Sequence, residues 1–213
     1  MKIYSIKDGG VIFEGPYTTI RKATEKAVQE GIDLSFANFR KADFKDAELD
    51  GISAPGACFW GADLSGANVS DAYLHDCDFR LSLLKRACLS DSIFSHCDFR
   101  GASFASVILD GADFSGSQLN CPQFLKQDFS QIQSLRNVTY HHLGEVACRF
   151  DRAPVYVRGL GADIVFLDHH IKIGETVVPI SECPEHLKDI MDSVIYSIKN
   201  NYDGFVSLSR YIK

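Results

Sequence analysis

Residues 57–69 read Ala57-Cys58-Phe59-Trp60-Gly61-Ala62-Asp63-Leu64-Ser65-Gly66-Ala67-Asn68-Val69, with a large apolar residue at every fifth position and an alanine two places before each. The spacing continues in both directions. Upstream it takes in Leu49, Phe44, Phe39 and Leu34; downstream it runs through Leu74, Phe79, Leu84, Leu89, Phe94, Phe99, Phe104, Leu109, Phe114, Leu119 and Phe124 to Phe129. Ala54 is the one small residue in the series, and it keeps the phase. The place two before is small almost throughout, as at Ala37, Ala42, Ala47, Cys77, Ser82, Ala87, Ser92, Cys97, Ala102, Ala112 and Ser117. A helix repeats every 3.6 residues and a strand every 2, so neither produces this series. Twenty units in one phase make a repeat architecture whose structural unit is five residues long.

These residues resemble the pentapeptide-repeat family, whose unit is written A-(D/N)-L-x-x; Ala62-Asp63-Leu64-Ser65-Gly66 and Ala112-Asp113-Phe114-Ser115-Gly116 are near-ideal copies. The resemblance covers about residues 32–131. It implies an all-β dominated fold, a right-handed quadrilateral β-solenoid of about five coils, with four units per 20-residue coil. The central Leu or Phe and the small residue two before it would then point inward. Glycines ending many units, such as Gly51, Gly61, Gly101 and Gly111, suit corners with unusual backbone angles. Ala54-Pro55 and Pro122–Gln127 depart most from the pattern, so a local bulge and the end of the last coil are expected there.

The flanks differ in character. Residues 1–31 read as an N-terminal hairpin-helix cap: strands at Lys2–Ile6 and Val11–Glu14 around the turn Lys7-Asp8-Gly9-Gly10, then a helix capped by Thr18 or Thr19, running to about Gln29 and ending at Gly31. Such a cover is needed because an open solenoid end exposes strand edges. Residues 132–213 read as a small C-terminal α+β lobe of no recognised family. Strands are expected around Val155–Val157, Ile164–Leu167 and Ile171–Ile173, with an amphipathic helix from Pro184 and a short last helix around Phe205–Ile212.

The 213 residues are 46% hydrophobic and carry a formal charge of -6, enough apolar content for a buried core and too much for a disordered chain. No stretch approaches 18 apolar residues, and Met1–Ile6 lacks the apolar region of a secretory signal. Seven cysteines without a C-x-x-C pair suggest reduced thiols, so a cytoplasmic setting is expected.

Stepping by 20 residues assigns the outward positions to faces. One face presents Glu48, Asp50, Asp71, Asp91, Asp110 and Asp128 without a Lys or Arg; the opposite face aligns Arg40, Trp60, Arg80 and Arg100, with Lys41 beside them and Asp78 and Asp98 as offsets. Residues 32–131 hold the whole net charge of -6. Some members of the resembled family are thought to mimic duplex DNA and occupy the DNA site of type II topoisomerases. Five coils at about 4.8 Å span about 24 Å, a length over which DNA carries about 14 phosphates. The acidic face can therefore imitate one strand rather than the duplex, and a homodimer would lengthen the imitation. The competing reading of that face is a solvated surface that keeps the protein soluble. Tyr73, Leu81, Leu83, Ile93 and Ile108 are apolar at outward positions and form a candidate contact patch, covered either by the C-terminal lobe or by a partner.

Catalytic signals are sparse. Gly159-Leu160-Gly161 reads as a turn between strands, and neither a nucleophile elbow nor a phosphate-binding loop occurs. Cys77 and Cys97 fall at inward positions, while Cys58, Cys88 and Cys148 have no activating base beside them in sequence. Histidines cluster as His141-His142 and as Asp168-His169-His170, and whether they bind a metal is left open, since adjacent histidines in a strand point to opposite sides. We therefore expect no enzyme, cofactor or metal. The expected function is a non-enzymatic protein-interaction scaffold that regulates or inhibits one partner, with phage origin and a host enzyme as target among the settings the family's spread allows. The alternative is a DNA-mimic inhibitor of a DNA-binding enzyme, a type II topoisomerase or a defence nuclease, acting through the acidic face. Direct nucleic-acid binding and membrane association are not expected.

Overall fold

A turn of polypeptide that returns on itself every 20 residues stacks each residue on its counterpart one coil away. In the computed structural model of the chain this stacking is continuous: parallel β-bridges join Asn38 to Cys58, Cys58 to Asp78, Asp78 to Asp98 and Asp98 to Gln118, and the other three faces carry equivalent series. The structure describes residues 1–119, 124, 127, 129, 131–140, 148–150, 155–158, 164–167, 170–173, 176–182 and 205–207. The expected helix from Pro184, the Gly159–Gly161 turn, and Asp128, His141, His142, Asp168 and His169 lie outside them.

The five-residue period becomes geometry in a simple way. Central residues point inward and are buried, as are the small residues two before them. Phe59, Phe79 and Phe99 stack in one column, with ring centroids 4.7 and 4.8 Å apart and planes 4° and 6° from parallel. Each ring covers the face of the next, adding about 0.5–1.5 kcal/mol per pair beyond burial. The corners fall two residues after each centre, where the backbone turns left-handed. Gly51, Gly61, Gly66 and Gly111 occupy such places, but so do Lys41, Asp71, Leu81 and Asp91, at φ between 53° and 59°. Where the residue before the centre is Asp or Asn, its side chain accepts the N–H two residues on, as Asp63 does from Ser65 at 3.0 Å and Asp113 from Ser115 at 2.7 Å. This local bond stabilises the bend and explains the A-(D/N)-L pattern.

At the N-terminal end β1 (Lys2–Tyr4) and β2 (Val11–Glu14) pair antiparallel. β1 leads directly into the ladder: Asn38 N–H donates to the Tyr4 carbonyl and Ile6 N–H to the Phe36 carbonyl, both at 2.7 Å, either side of an antiparallel Ser5–Ala37 bridge. α1 (Ile20–Gln29) begins at Thr19, whose hydroxyl accepts the Lys22 N–H. Its Arg21 donates to the Lys45 and Asp46 carbonyls at 2.7 Å each, fixing the helix to the first coil.

At the other end the ladder runs past Gln131. Asp113 bridges Ser134, and β3 (Gln118–Leu119) pairs parallel with β4 (Thr139–Tyr140), so the step lengthens from 20 to 21 residues. β5 (Cys148–Arg149) closes this sheet antiparallel to β4. The chain divides into two compact units, Met1–Arg149 and Phe150–Lys213, so residues 132–149 group with the solenoid. In the second unit β6 (Val155–Arg158), β7 (Ile164–Leu167), β8 (His170–Ile173), β9 (Thr176–Pro179) and β10 (Phe205–Ser207) form a sheet in the order β10-β6-β7-β8-β9. Phe205–Ser207 is a strand where the sequence suggests a helix. It pairs parallel with β6, a long-range contact that overrides local helical spacing and suits Phe and Val.

Candidate interaction faces

The bridges fix which outward side chains share a surface. Glu48, Asp50, Asp71, Asp91 and Asp110 are all exposed, and among the described residues none of them forms an ion pair. Asp71 and Asp91 stand at a left-handed corner, their N–H groups held by the Ser90 and Asp110 carbonyls at 3.0 and 2.8 Å. Glu48 accepts from Asn68 Nδ2 at 3.2 Å, and its N–H donates to Glu25 Oε1 of α1 at 3.2 Å. Glu25, itself paired with Arg21 at 2.8 Å, adds a further carboxylate at the end of the face.

The basic face divides into two parts. Arg80 grips Asp78 through Nε and Nη2 at 2.9 and 2.7 Å, and Arg100 does the same to Asp98 at 2.9 and 2.6 Å. Burial pushes the Asp78 carboxyl up, but the Arg80 bonds outweigh it and hold the group below its ordinary value, while both guanidiniums are shifted up by their partners. These two arginines are therefore neutralised in place. Arg40 and Lys41 instead bracket the Trp60 ring, at 5.4 and 5.2 Å from its centroid.

Tyr73, Leu81, Leu83, Ile93 and Ile108 are exposed as expected, but they do not form one patch. Tyr73 and Ile93 are bridged to each other on one face, Leu83 stands between Asp63 and Ser103 on another, Ile108 lies beside Cys88 on the acidic face, and Leu81 occupies a corner. Their places in the 20-residue coil differ, so stacking separates them. The sequence reading missed the exposed Tyr4, Ile6, Val11 and Phe36 at the N-terminal end. A signal was available for Phe36: it lies two places after Leu34, where the period turns the chain outward.

Titratable groups meet on the Tyr73 face, where His75 lies with Nδ1 2.9 Å from Ser95 Oγ and Nε2 2.9 Å from Asp76 Oδ2. The Cys88 thiol meets the Ser70 and Ser90 hydroxyls at 3.2 and 3.4 Å; burial pushes it up, and these bonds bring it below its ordinary value. Among the described residues no three His, Cys, Asp or Glu side chains are placed to hold a metal ion. His170 is buried. A cleft of about 460 Å³ lies where α1 meets the first coil, lined largely by ionic groups including Arg21, Glu25, Asp43 and Lys45. Among the described residues no helix is long and apolar enough to cross a membrane.

Comparison with known proteins agrees with the repeat. The family described as pentapeptide repeats matches in 8 copies, over residues 30–53, 45–80, 62–101, 82–120 and 97–130. Its members fold as right-handed β-helical solenoids. Among solved structures, a pentapeptide repeat protein of the Arabidopsis thaliana thylakoid lumen is 28% identical, with 52% of this chain and 79% of that one covered and a TM-score of 0.34. QnrB1, a plasmid-mediated fluoroquinolone resistance protein, is 21% identical over 49% of this chain and 60% of its own, at a TM-score of 0.30. HetL of Nostoc, involved in regulating heterocyst differentiation, is 20% identical over 40% and 52%, at 0.23. The chain thus spans less than two thirds of the last two. No curated protein matches it.

Proposed function

We propose that this chain, whose residues 30–130 are pentapeptide repeats, is a non-enzymatic scaffold that binds one protein partner and regulates or inhibits it, in a cytoplasmic setting. The observation that carries this reading is the separation of charge on a repetitive frame: on one face exposed carboxylates that make no ion pair among the described residues, and on the opposite face two neutralised arginines beside two cations held on a tryptophan. Rigid, flat and chemically distinct faces suit recognition of another surface. The chemistry of turnover asks instead for a cleft with converging groups.

The test is affinity capture from a bacterial lysate with the wild type and with a Glu48→Lys, Asp50→Lys, Asp71→Lys, Asp91→Lys variant. A partner retained by the wild type and identified reproducibly supports the scaffold reading; capture of no protein by either form overturns it.

The exposed row Glu48, Asp50, Asp71, Asp91 and Asp110 favours a second reading, mimicry of a DNA strand in front of a DNA-binding enzyme such as a type II topoisomerase or a defence nuclease. A homodimer would extend that row. Inhibition of the captured enzyme should then weaken as salt rises, because exposed charges are screened over about 10 Å at 0.1 M. Inhibition that is insensitive to salt and to the four substitutions overturns this reading.

A further inference from the structure

The N-terminal end of the basic face combines features the repeat does not require. Because Asn38 N–H reaches the Tyr4 carbonyl and Ile6 N–H the Phe36 carbonyl, β1 lies alongside the first coil, with Tyr4 next to Asn38 and Ile6 next to Phe36. Tyr4, Ile6 and Phe36 are 46%, 46% and 40% exposed, and Val11, the register partner of Tyr4, is 47% exposed. On the same face the Asn38 side chain accepts the Arg40 N–H at 3.3 Å, and Arg40 and Lys41 cover Trp60. Lys7 lies over the Phe36 ring at 4.9 Å. Apolar and cationic groups are therefore interleaved.

The charges here differ from the others nearby. Lys2 is paired with Glu14 at 2.8 Å, Lys45 with Asp63 at 3.1 Å, and Arg80 and Arg100 with Asp78 and Asp98. Among the described residues the cationic groups of Lys7, Arg40 and Lys41 lie over aromatic rings and make no ion pair. Tyr, Trp, Phe and Arg are the residues enriched at binding hot spots, and aromatic side chains order at low entropic cost.

We propose that Tyr4, Ile6, Phe36, Arg40, Lys41 and Trp60 form a docking surface for an acidic peptide segment of a partner protein, one whose carboxylates alternate with apolar side chains. The inference rests on the scaffold reading and names a surface within it. Charge complementarity selects the occupant: the unpaired Arg40 and Lys41, with Lys7 beside them, call for anions, and the exposed Tyr4, Ile6 and Phe36 call for an apolar complement that a phosphate backbone does not supply. Further along the face a nucleic acid would find Arg80 and Arg100 already neutralised by Asp78 and Asp98, too few free cations for a phosphate backbone.

Trp60 is the single tryptophan of the chain, so its emission reports directly on the surface. A library of random displayed peptides is selected against the wild type and against an Arg40→Glu, Lys41→Glu variant, whose exposed positions leave the core untouched. The expected result is enrichment of peptides with alternating acidic and apolar residues on the wild type only. Those peptides should shift Trp60 emission and bind the variant about tenfold more weakly or worse. A Tyr4→Ser, Ile6→Ser variant should weaken them too, with an unchanged circular dichroism spectrum. Peptides shared equally by wild type and charge variant overturn the surface while leaving the scaffold reading intact. Failure to enrich any peptide overturns the surface, and the lysate capture decides the scaffold separately. Tighter binding of a polythymidine oligonucleotide than of any peptide, at equal salt, overturns the choice of occupant.

Discussion

Ser92 lies one coil from Ala72, and its buried hydroxyl receives the Ala72 N–H at 2.9 Å while donating to the Val69 carbonyl at 2.6 Å. At most corners the equivalent N–H and carbonyl bond directly, as Ala62 does to Phe59 at 2.9 Å. Here the hydroxyl is inserted between them. Ser117 repeats the arrangement with Cys97 and Phe94, and the Cys97 thiol with Cys77 and Leu74.

Ser92→Ala should therefore destabilise the protein by about 1–2 kcal/mol, since a buried N–H and carbonyl lose their partner. Ser82 occupies the same inward place, but the corner it faces, Ala62 to Phe59, is already closed, and among the described residues the Ser82 hydroxyl has no hydrogen-bond partner. Ser82→Ala is expected to be neutral or stabilising by up to about 1 kcal/mol. Urea midpoints of the two variants, at equal slope, check the contrast.

Phe79 is sandwiched between Phe59 and Phe99 in the aromatic column. Phe79→Ala should cost about 3–5 kcal/mol, because a rigid coil cannot collapse onto the void. Phe79→Leu should cost less, about 1–2 kcal/mol, keeping most of the volume but losing the stacking. Thermal and urea unfolding measure both.

Gly111 sits at a corner with φ +70°, and a Cβ there would overlap the Asp91 carboxylate. Gly111→Ala should cost about 1–2 kcal/mol for the left-handed backbone alone, plus the overlap. Adding Asp91→Ala should recover only the second part. A double-mutant cycle separates the two, and full recovery would contradict the backbone argument.

Asp78 is held below its ordinary value of 3.8 by Arg80. A carboxyl depressed in the folded state supports folding where it is ionised, above 3.8, and that support is lost as pH falls through the folded value. Asp78→Asn should lower stability at pH 7 by about 1 kcal/mol or less, as the pair is partly exposed. Melting curves of wild type and variant should converge as the pH is lowered into the range where the folded carboxyl takes up its proton.

The five-residue period was legible because it records a physical constraint, one large and one small side chain per face of a narrow coil. Leu64, Phe79 and Ala62 reveal it without help from neighbours. The corners were legible only where glycine marks them, since Leu81 and Asp91 adopt the same angle without a distinctive side chain. The strand at Phe205 and the lengthened step from Asp113 to Ser134 depend on contacts distant in sequence. The apolar residues looked like one patch because Tyr73, Leu83 and Ile93 are close in sequence, whereas proximity in a coil follows multiples of 20. Arg80 and Arg100 likewise read as a basic line only partly offset by Asp78 and Asp98, whereas each is gripped by one of them in a bidentate pair.

The bonds between successive coils have a mechanical consequence. They run along the stacking direction, as in Phe59 N–H to the Asp78 carbonyl at 2.8 Å, and each joins only adjacent coils. A pull applied at the two ends of residues 34–119 would load them in sequence, as teeth of a zipper, rather than in shear. Each coil that peels away would release 20 residues, a contour gain of about 65 Å. Under tension this segment would yield in equal steps at low force, paying out length as a tether does.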